Sequence, residues 1–327
     1  MPAVDYRIVL RRYVVAATAL ATCVGLLAGA RAARPAAGAD LSAGPKPPAP
    51  YFHSLWKEEI TEPVHRVAVA DTVGDGKPRL ILLIEKPLQK GLAVLKVKKW
   101  DGTQFVTEFT GNVDANADGL EVGKFAGKDK PAQIVTADAL WQWDGKTYIR
   151  KPARKELALF GTARMKSGED RIILAETATQ FKSYQVNADA TGTDWLTDRT
   201  ESPSALDVEW EAMHSTPDFF RKMGMPSFLC AGGFITVWDA NHASVPYLYY
   251  CRFTGDAASA VKSSFLGMRD ATEAGGIELW TSPRLVGQAI DVALQDPRAS
   301  NRAGILVLTN GSATAGKLAT IQYFSKD

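Results

Sequence analysis

Residues 131–144 read PAQIVTADALWQWD, and residues 226–239 read PSFLCAGGFITVWD. The two segments align without a gap. Each has a proline, a short apolar run, a turn of small residues, a second apolar run and a closing Trp-Asp. The runs are too short for helices and too closely punctuated, so each segment reads as two strands around a tight turn. A strand–turn–strand unit that recurs within one chain marks a repeat architecture, and its period decides the fold.

The tryptophans supply that period. Trp56, Trp100, Trp143, Trp195, Trp238 and Trp280 are separated by 44, 43, 52, 43 and 42 residues, and Tyr323 lies 43 further on. Trp100-Asp101-Gly102 and Trp143-Asp144-Gly145 are copies of one signal, with Trp238-Asp239-Ala240-Asn241 a looser third. Asp-Gly after a strand suits a hairpin turn that needs positive φ. Apolar or alternating runs at 66–70, 79–84, 92–97, 133–136, 171–175, 234–238, 287–294, 304–308 and 318–324 read as strands. The one segment with a helical pattern is 217–223.

A β-repeat of this length predicts an all-β propeller, one four-stranded sheet per blade. One blade alone leaves both its faces wet, and stacking neighbours around a ring covers them. Seven markers enclose six units, so six blades are expected, with five and seven as the alternatives. The ring is expected to close by pairing residues 51–60 with 318–324. Residues 201–225 read as an insertion, and 254–275 as the least regular repeat. The evenly spaced aromatics read as packing between blades rather than as a sugar-binding ring.

The first 32 residues read as a signal peptide. Arg7, Arg11 and Arg12 form a charged start, 13–30 is apolar and Ala-rich, and Ala30-Arg31-Ala32 fits a small-x-small cleavage site. A membrane anchor is the competing reading, but the stretch is short for a span and rich in Ala, Thr and Gly. Leu20-Ala21-Thr22-Cys23 is a weak lipoprotein box, and Arg11-Arg12 a weak twin-arginine signal. Residues 33–50 form a Pro/Ala/Gly linker expected to be disordered, and 51–327 the propeller domain. The expected location is periplasmic or extracellular, with no span left after cleavage. Losing Arg7, Arg11, Arg12, Arg31 and Asp5 turns the formal charge of +2 into −1. Such a chain has no basic field for nucleic acid.

The repeats resemble those of FG-GAP or VCBS-type propellers, in which an acidic Asp-x-Asn-x-Asp-Gly-x-x-Asp loop separates two apolar strands. VAVADTVGDGKPRLIL at 67–82 matches through Asp71, Gly74, Asp75 and Gly76, with Val73 and Arg79 at two acidic positions. GKFAGKDKPAQIV at 123–135 keeps the glycines but has Lys124 and Lys128 in acidic places. The resemblance covers residues 60–325 and implies an extracellular or envelope interaction module. Some members bind calcium, and the repeat is not an enzyme signature.

Asp114-Ala115-Asn116-Ala117-Asp118-Gly119 fits the first half of a calcium loop, with Asp114, Asn116 and Asp118 offering oxygens to one centre. Position 12 is Phe125 and position 9 is Val122, so the closing carboxylate is missing, and a solvated turn between blades is the competing reading. Ca²⁺ is the one cofactor considered. Gly311 to Lys317 approaches a phosphate loop, but Leu318 stands where Ser or Thr is needed and a strand follows, so it reads as a hairpin. The four histidines show no ligand spacing, and no nucleophile elbow occurs. Cys230 and Cys251 remain after cleavage and either pair in an oxidising compartment or stay as two small buried side chains. The long loops 86–91, 198–225 and 254–275 are the expected specificity elements. His214, Phe219, Phe220 and Arg221 in the insertion are candidates for a ligand or interface loop. The expected function is a non-enzymatic binding module for a polysaccharide or an envelope protein. A propeller enzyme acting on polysaccharide and a structural subunit of an envelope complex are the alternatives.

Overall fold

The computed structural model describes residues 52–86, 89, 92–115, 117, 119–165, 170–175, 181–187, 189–190, 192–199, 208–215, 235–238, 247–254, 263–270, 278–299 and 304–325. All of these belong to the second of two units, Pro50–Asp327, so the expected signal peptide and linker lie outside the described residues. The segment 217–223 lies outside them as well.

The described residues form strands and connections only, with no helix, and every paired strand is antiparallel. β1 (His53–Ile60) comes first. β2 (Val64–Ala70), β3 (Arg79–Glu85), β4 (Ala93–Trp100) and β5 (Phe105–Val113) then form a four-stranded meander. β6 (Leu120–Gly123), β7 (Gln133–Thr136), β8 (Ala139–Trp143) and β9 (Tyr148–Pro152) form a second. β10 (Leu159–Met165), β11 (Asp170–Ala175), β12 (Phe181–Val186) and β13 (Leu196–Arg199) follow in the same order. They join a nine-stranded sheet because β10 also pairs with β14 (Val208–Ser215), which leads on through β15 (Ile235–Trp238), β16 (Tyr247–Thr254), β17 (Ser263–Asp270) and β18 (Glu278–Thr281). β19 (Ala289–Leu294), β20 (Ile305–Thr309) and β21 (Ala319–Ser325) form the last sheet, and β1 is its fourth strand.

The pairing of chain start with chain end runs from His53 opposite Ser325 to Ile60 opposite Ala319, as expected from the sequence. Two stretches differ from expectation. The region 201–225, read as an insertion, carries β14, and 254–275, read as a long loop, carries β17. Both are strands of the large sheet.

The second strand of each meander explains the continuous apolar runs. β3 is buried from Arg79 through Ile84, β7 and β20 along their whole length, and β11 at all but its second and last residues. A strand reads as an unbroken apolar run when both sheet faces are covered. The side chains of β3 make the point, because alternate residues point to opposite faces. Leu80, Leu82 and Ile84 pack with Leu306, Leu308, Ile321 and Tyr323 of the last sheet. Ile81 and Leu83 pack with Ile134, Ala139 and Trp141 of the second meander. β7 divides in the same way: Ile134 faces the first meander, while Val135 joins Ile172, Leu174 and Trp195. The far side of the last sheet meets β18, where Trp280 packs on Phe324 and Phe52 at 5.7 and 5.3 Å. First strands are also neighbours, β2 lying against β19 and β6, and β6 against β10; β15 lies against β19.

Candidate functional site

The loop from β2 to β3 is organised by one carboxylate. Asp71 Oδ1 accepts the backbone N–H of Val73 at 3.3 Å and of Gly74 at 2.7 Å, and its Oδ2 accepts that of Gly76 at 2.8 Å. Gly74 and Gly76 have φ of 85° and 75°, which an L side chain resists. Asp75 accepts two bonds from the Arg79 guanidinium, at 2.5 and 3.0 Å, and Arg79 also donates to Glu108 on β5 at 3.0 and 3.3 Å. Arg79 holds the Asp75 carboxyl below its ordinary range, chiefly by these side-chain bonds and against the effect of partial burial. An arginine therefore supplies the positive charge inside this loop. The loop docks on the next sheet: Ala132 N–H donates to Asp71 O at 2.9 Å, and the Thr72 hydroxyl meets the Tyr148 hydroxyl at 2.5 Å.

Of the expected calcium ligands, Asp114 is the one among the described residues; Asn116 and Asp118 lie outside them. Asp114 Oδ2 accepts Arg150 Nη2 at 3.1 Å, and the same nitrogen donates to Asp138 Oδ2 at 2.5 Å. Asp138 Oδ2 also accepts the Asp114 backbone N–H at 2.8 Å. Asp114 thus belongs to an arginine-centred node that ties the β5–β6 connection to the turn between β7 and β8. Among the described residues no three His, Cys, Asp or Glu side chains gather with metal-binding geometry.

The other expected residues are dispersed. His214 is a strand residue of β14, in register with Thr162 and Thr236, and not part of a loop; Phe219, Phe220 and Arg221 lie outside the described residues. Cys251 is on β16 opposite Leu266, and Cys230 lies outside the described residues, as does the expected bond between them. Residues 311–317 form the hairpin between β20 and β21, as their sequence predicts.

Two further features lie outside the residues expected from the sequence. The first is a groove of about 150 Å³ beside the β9–β10 connection and the start of β13. Leu157, Leu174, Tyr184 and Trp195 line its apolar part, and Arg154, Lys155 and Asp194 its charged lip. Trp195 is fully buried and its Nε1 donates to Pro152 O at 3.0 Å, so it forms a floor. Arg154 and Asp194 are largely exposed and pair at 2.5 Å across the rim.

The second is a cluster of aromatic rings around a guanidinium. Arg298, on the β19–β20 connection, sits with its guanidinium carbon 4.1 Å from the Trp56 ring, 4.3 Å from that of Trp100 and 5.6 Å from that of Phe105. Asp296 Oδ1 accepts both the Trp56 Nε1–H at 3.3 Å and the Arg298 backbone N–H at 2.9 Å. Among the described residues Arg298 has no carboxylate in ion-pair contact, and its buried Nε has no hydrogen-bond partner. Burial lowers the Arg298 pKa from its ordinary value, against the pull of Asp296 and Glu58. Sequence reading missed this cluster. Its members are 242 residues apart at the extremes, and Asp296-Pro297-Arg298 carries no motif.

No protein-family model matches this chain, and no curated protein matches it.

Proposed function

We propose that the chain is an exported β-propeller of five units that binds a polysaccharide or an envelope protein. The observation that carries this reading is the serial packing, through successive apolar layers, of the last sheet, the first meander, the second meander and β10–β13, with β1 completing the last sheet. The units of the proposal are β2–β5, β6–β9, β10–β13, β14–β18, and β19–β21 with β1. Six units follow from the tryptophan spacing, but the tryptophans occupy unlike positions. Trp100 and Trp143 both end a third strand, whereas Trp56 lies within β1, Trp195 precedes β13 and Trp280 lies within β18. Strand order is the better counter because each unit needs its own set of paired strands. The succession β19, β2, β6 and β10 as neighbouring first strands, with β10 paired to β14, β14 to β15, and β15 lying back against β19, supports a ring.

Propellers present ligands with the loops and grooves between blades, and the apolar groove with its charged rim supports a binding role of that kind. The repeats are read as degenerate FG-GAP-type units in which Arg79 has taken over a cation's role in the first loop. The test is binding of the chain from residue 51 to an array of polysaccharides and envelope polymers, with Ca²⁺ and with chelator. Saturable binding weakened at least tenfold by Tyr184→Ala supports the groove as the site. Binding lost in chelator brings the Asp114 loop into the mechanism, and Asp118→Ala then abolishes it. No binding to any polymer or envelope protein in either condition overturns the reading.

A further inference from the structure

We infer that Trp56, Trp100 and Phe105 form a recognition cage for a flat organic cation, the guanidinium of an arginine-bearing ligand, and that Arg298 fills this cage in cis. The three rings come from β1, from the end of β4 and from the start of β5, and they converge on one guanidinium. Guanidinium is the common biological cation best suited to such a site, because it is planar and weakly hydrated and stacks on indole faces. An arginine that merely fastened two sheets would gain most from a carboxylate partner, as Arg79 does with Asp75 and Glu108. Arg298, half-buried and with no carboxylate in ion-pair contact among the described residues, rests on aromatic faces instead, which is how cages hold ligand cations.

The occupant is presented by a connection and not by a paired strand, since it lies between the end of β19 at Leu294 and the start of β20 at Ile305. Asp296 bonds the Trp56 wall and the Arg298 backbone at once, so cage and occupant share an anchor. A tethered group competes at an effective concentration on the order of millimolar or above. An arginine ligand therefore enters the wild-type cage only by displacing Arg298, and the variant lacking it binds more tightly. The inference does not rest on the propeller reading, since it needs only the three rings and Arg298.

The test uses the full chain and methylguanidinium as probe, followed by tryptophan fluorescence at constant ionic strength. R298A is expected to bind methylguanidinium saturably in roughly the millimolar range. Wild type should bind at least tenfold more weakly, and W100A/R298A should not bind. Methylammonium, a harder cation, should bind R298A more weakly than methylguanidinium. A folded R298A, with native far-UV circular dichroism, that binds no methylguanidinium overturns the inference, as does binding indifferent to loss of Trp100. Should R298A be unfolded, recovery of the native spectrum by methylguanidinium but not by equimolar NaCl supports the cage, and failure to recover overturns it.

Discussion

Arg79 keeps its charge out of water with about 4% of its side chain exposed, and two carboxylates hold it there. Removing it strands Glu108, which is 20% exposed, and weakens Asp75, which at 42% is partly screened by solvent. Breaking a fully buried pair costs about 3–5 kcal/mol, so Arg79→Met is expected to cost less, about 2 kcal/mol in urea unfolding at pH 7. The pH dependence follows from Asp75. Its folded pKa lies below the ordinary aspartate value of 3.8, so its contribution is present above that value and disappears as pH falls through the folded pKa. Below about pH 4 the wild-type melting temperature should therefore fall more steeply than that of R79M. Parallel acid limbs would show that the Arg79 contact does not lower the Asp75 pKa. Tyr148 acts at the other end of the scale. Burial pushes its pKa up to about 12, opposed by the bond to Thr72. A raised pKa gives stability that is whole below the unfolded value near 10 and is lost as pH rises toward 12. Tyr148→Phe should flatten that alkaline loss. At neutral pH it should cost about 1–2 kcal/mol, because the fully buried Thr72 hydroxyl loses its partner. Thermal melts from pH 7 to 12 check both parts.

At the scale of the element, the strands that read as unbroken apolar runs are those covered on both faces, while β4 was legible through its alternation of buried and half-buried residues. The runs at 79–84, 133–136, 171–175 and 304–308 are the second strands of their sheets, and burial on two sides leaves no room for polar residues. β5 and β9 were not legible. Both are outer strands with exposed residues among buried ones, and Val106 and Ile149 stand in solvent, so neither alternation nor an apolar run survives. The Asp-Gly hairpins were legible because their chemistry is local. Asp101 Oδ1 accepts the N–H of Thr103 and Gln104 at 2.8 Å each, and Asp144 Oδ1 accepts those of Lys146 and Thr147 at the same distance. Both carboxyls are held below their ordinary range, Asp101 chiefly by the Gln104 amide and Asp144 by that of Thr147. Gly102 and Gly145 have φ of 108° and 101°. Ala in place of either should cost about 1–2 kcal/mol of backbone strain, since no neighbour crowds the new Cβ. The two turns belong to different sheets, so the double variant should lose the sum of the two single losses. Chemical denaturation of the three variants decides this, and unequal or strongly non-additive losses would deny that the turns are equivalent copies. The candidate sites were legible only where their residues are close in sequence. Asp71 and Asp75 were found for that reason. Arg298 was not, because its rings belong to strands that only the finished fold brings together.

For the whole molecule the decisive contact is between its two ends. Among the described residues β1 pairs with no strand near it in sequence and adds to β21, more than 250 residues on. Trp56 and Ile60 on β1 are buried, and they cover Ile321 and Tyr323, which are fully buried on β21. Trp56 stacks on Tyr323 at 5.7 Å with an interplanar angle of 18°. Four large side chains at about 1.5–3 kcal/mol each amount to roughly 6–12 kcal/mol. That is comparable with the whole stability of an ordinary domain, about 5–15 kcal/mol. Deleting residues 52–60 should therefore abolish cooperative thermal unfolding rather than merely lower the midpoint. A circular permutant separates loss of the pairing from loss of chain order. New ends in the exposed 144–147 hairpin, with residue 327 joined to residue 52 through about four Gly and Ser residues, keep every strand pair. The join is short because His53 already stands opposite Ser325. The permutant should melt cooperatively within a few degrees of wild type. If the deletion melted like wild type, β1 would contribute nothing to the fold. If the permutant failed while the parent folded, the order of synthesis, and not the pairing of the ends, would be what the chain depends on.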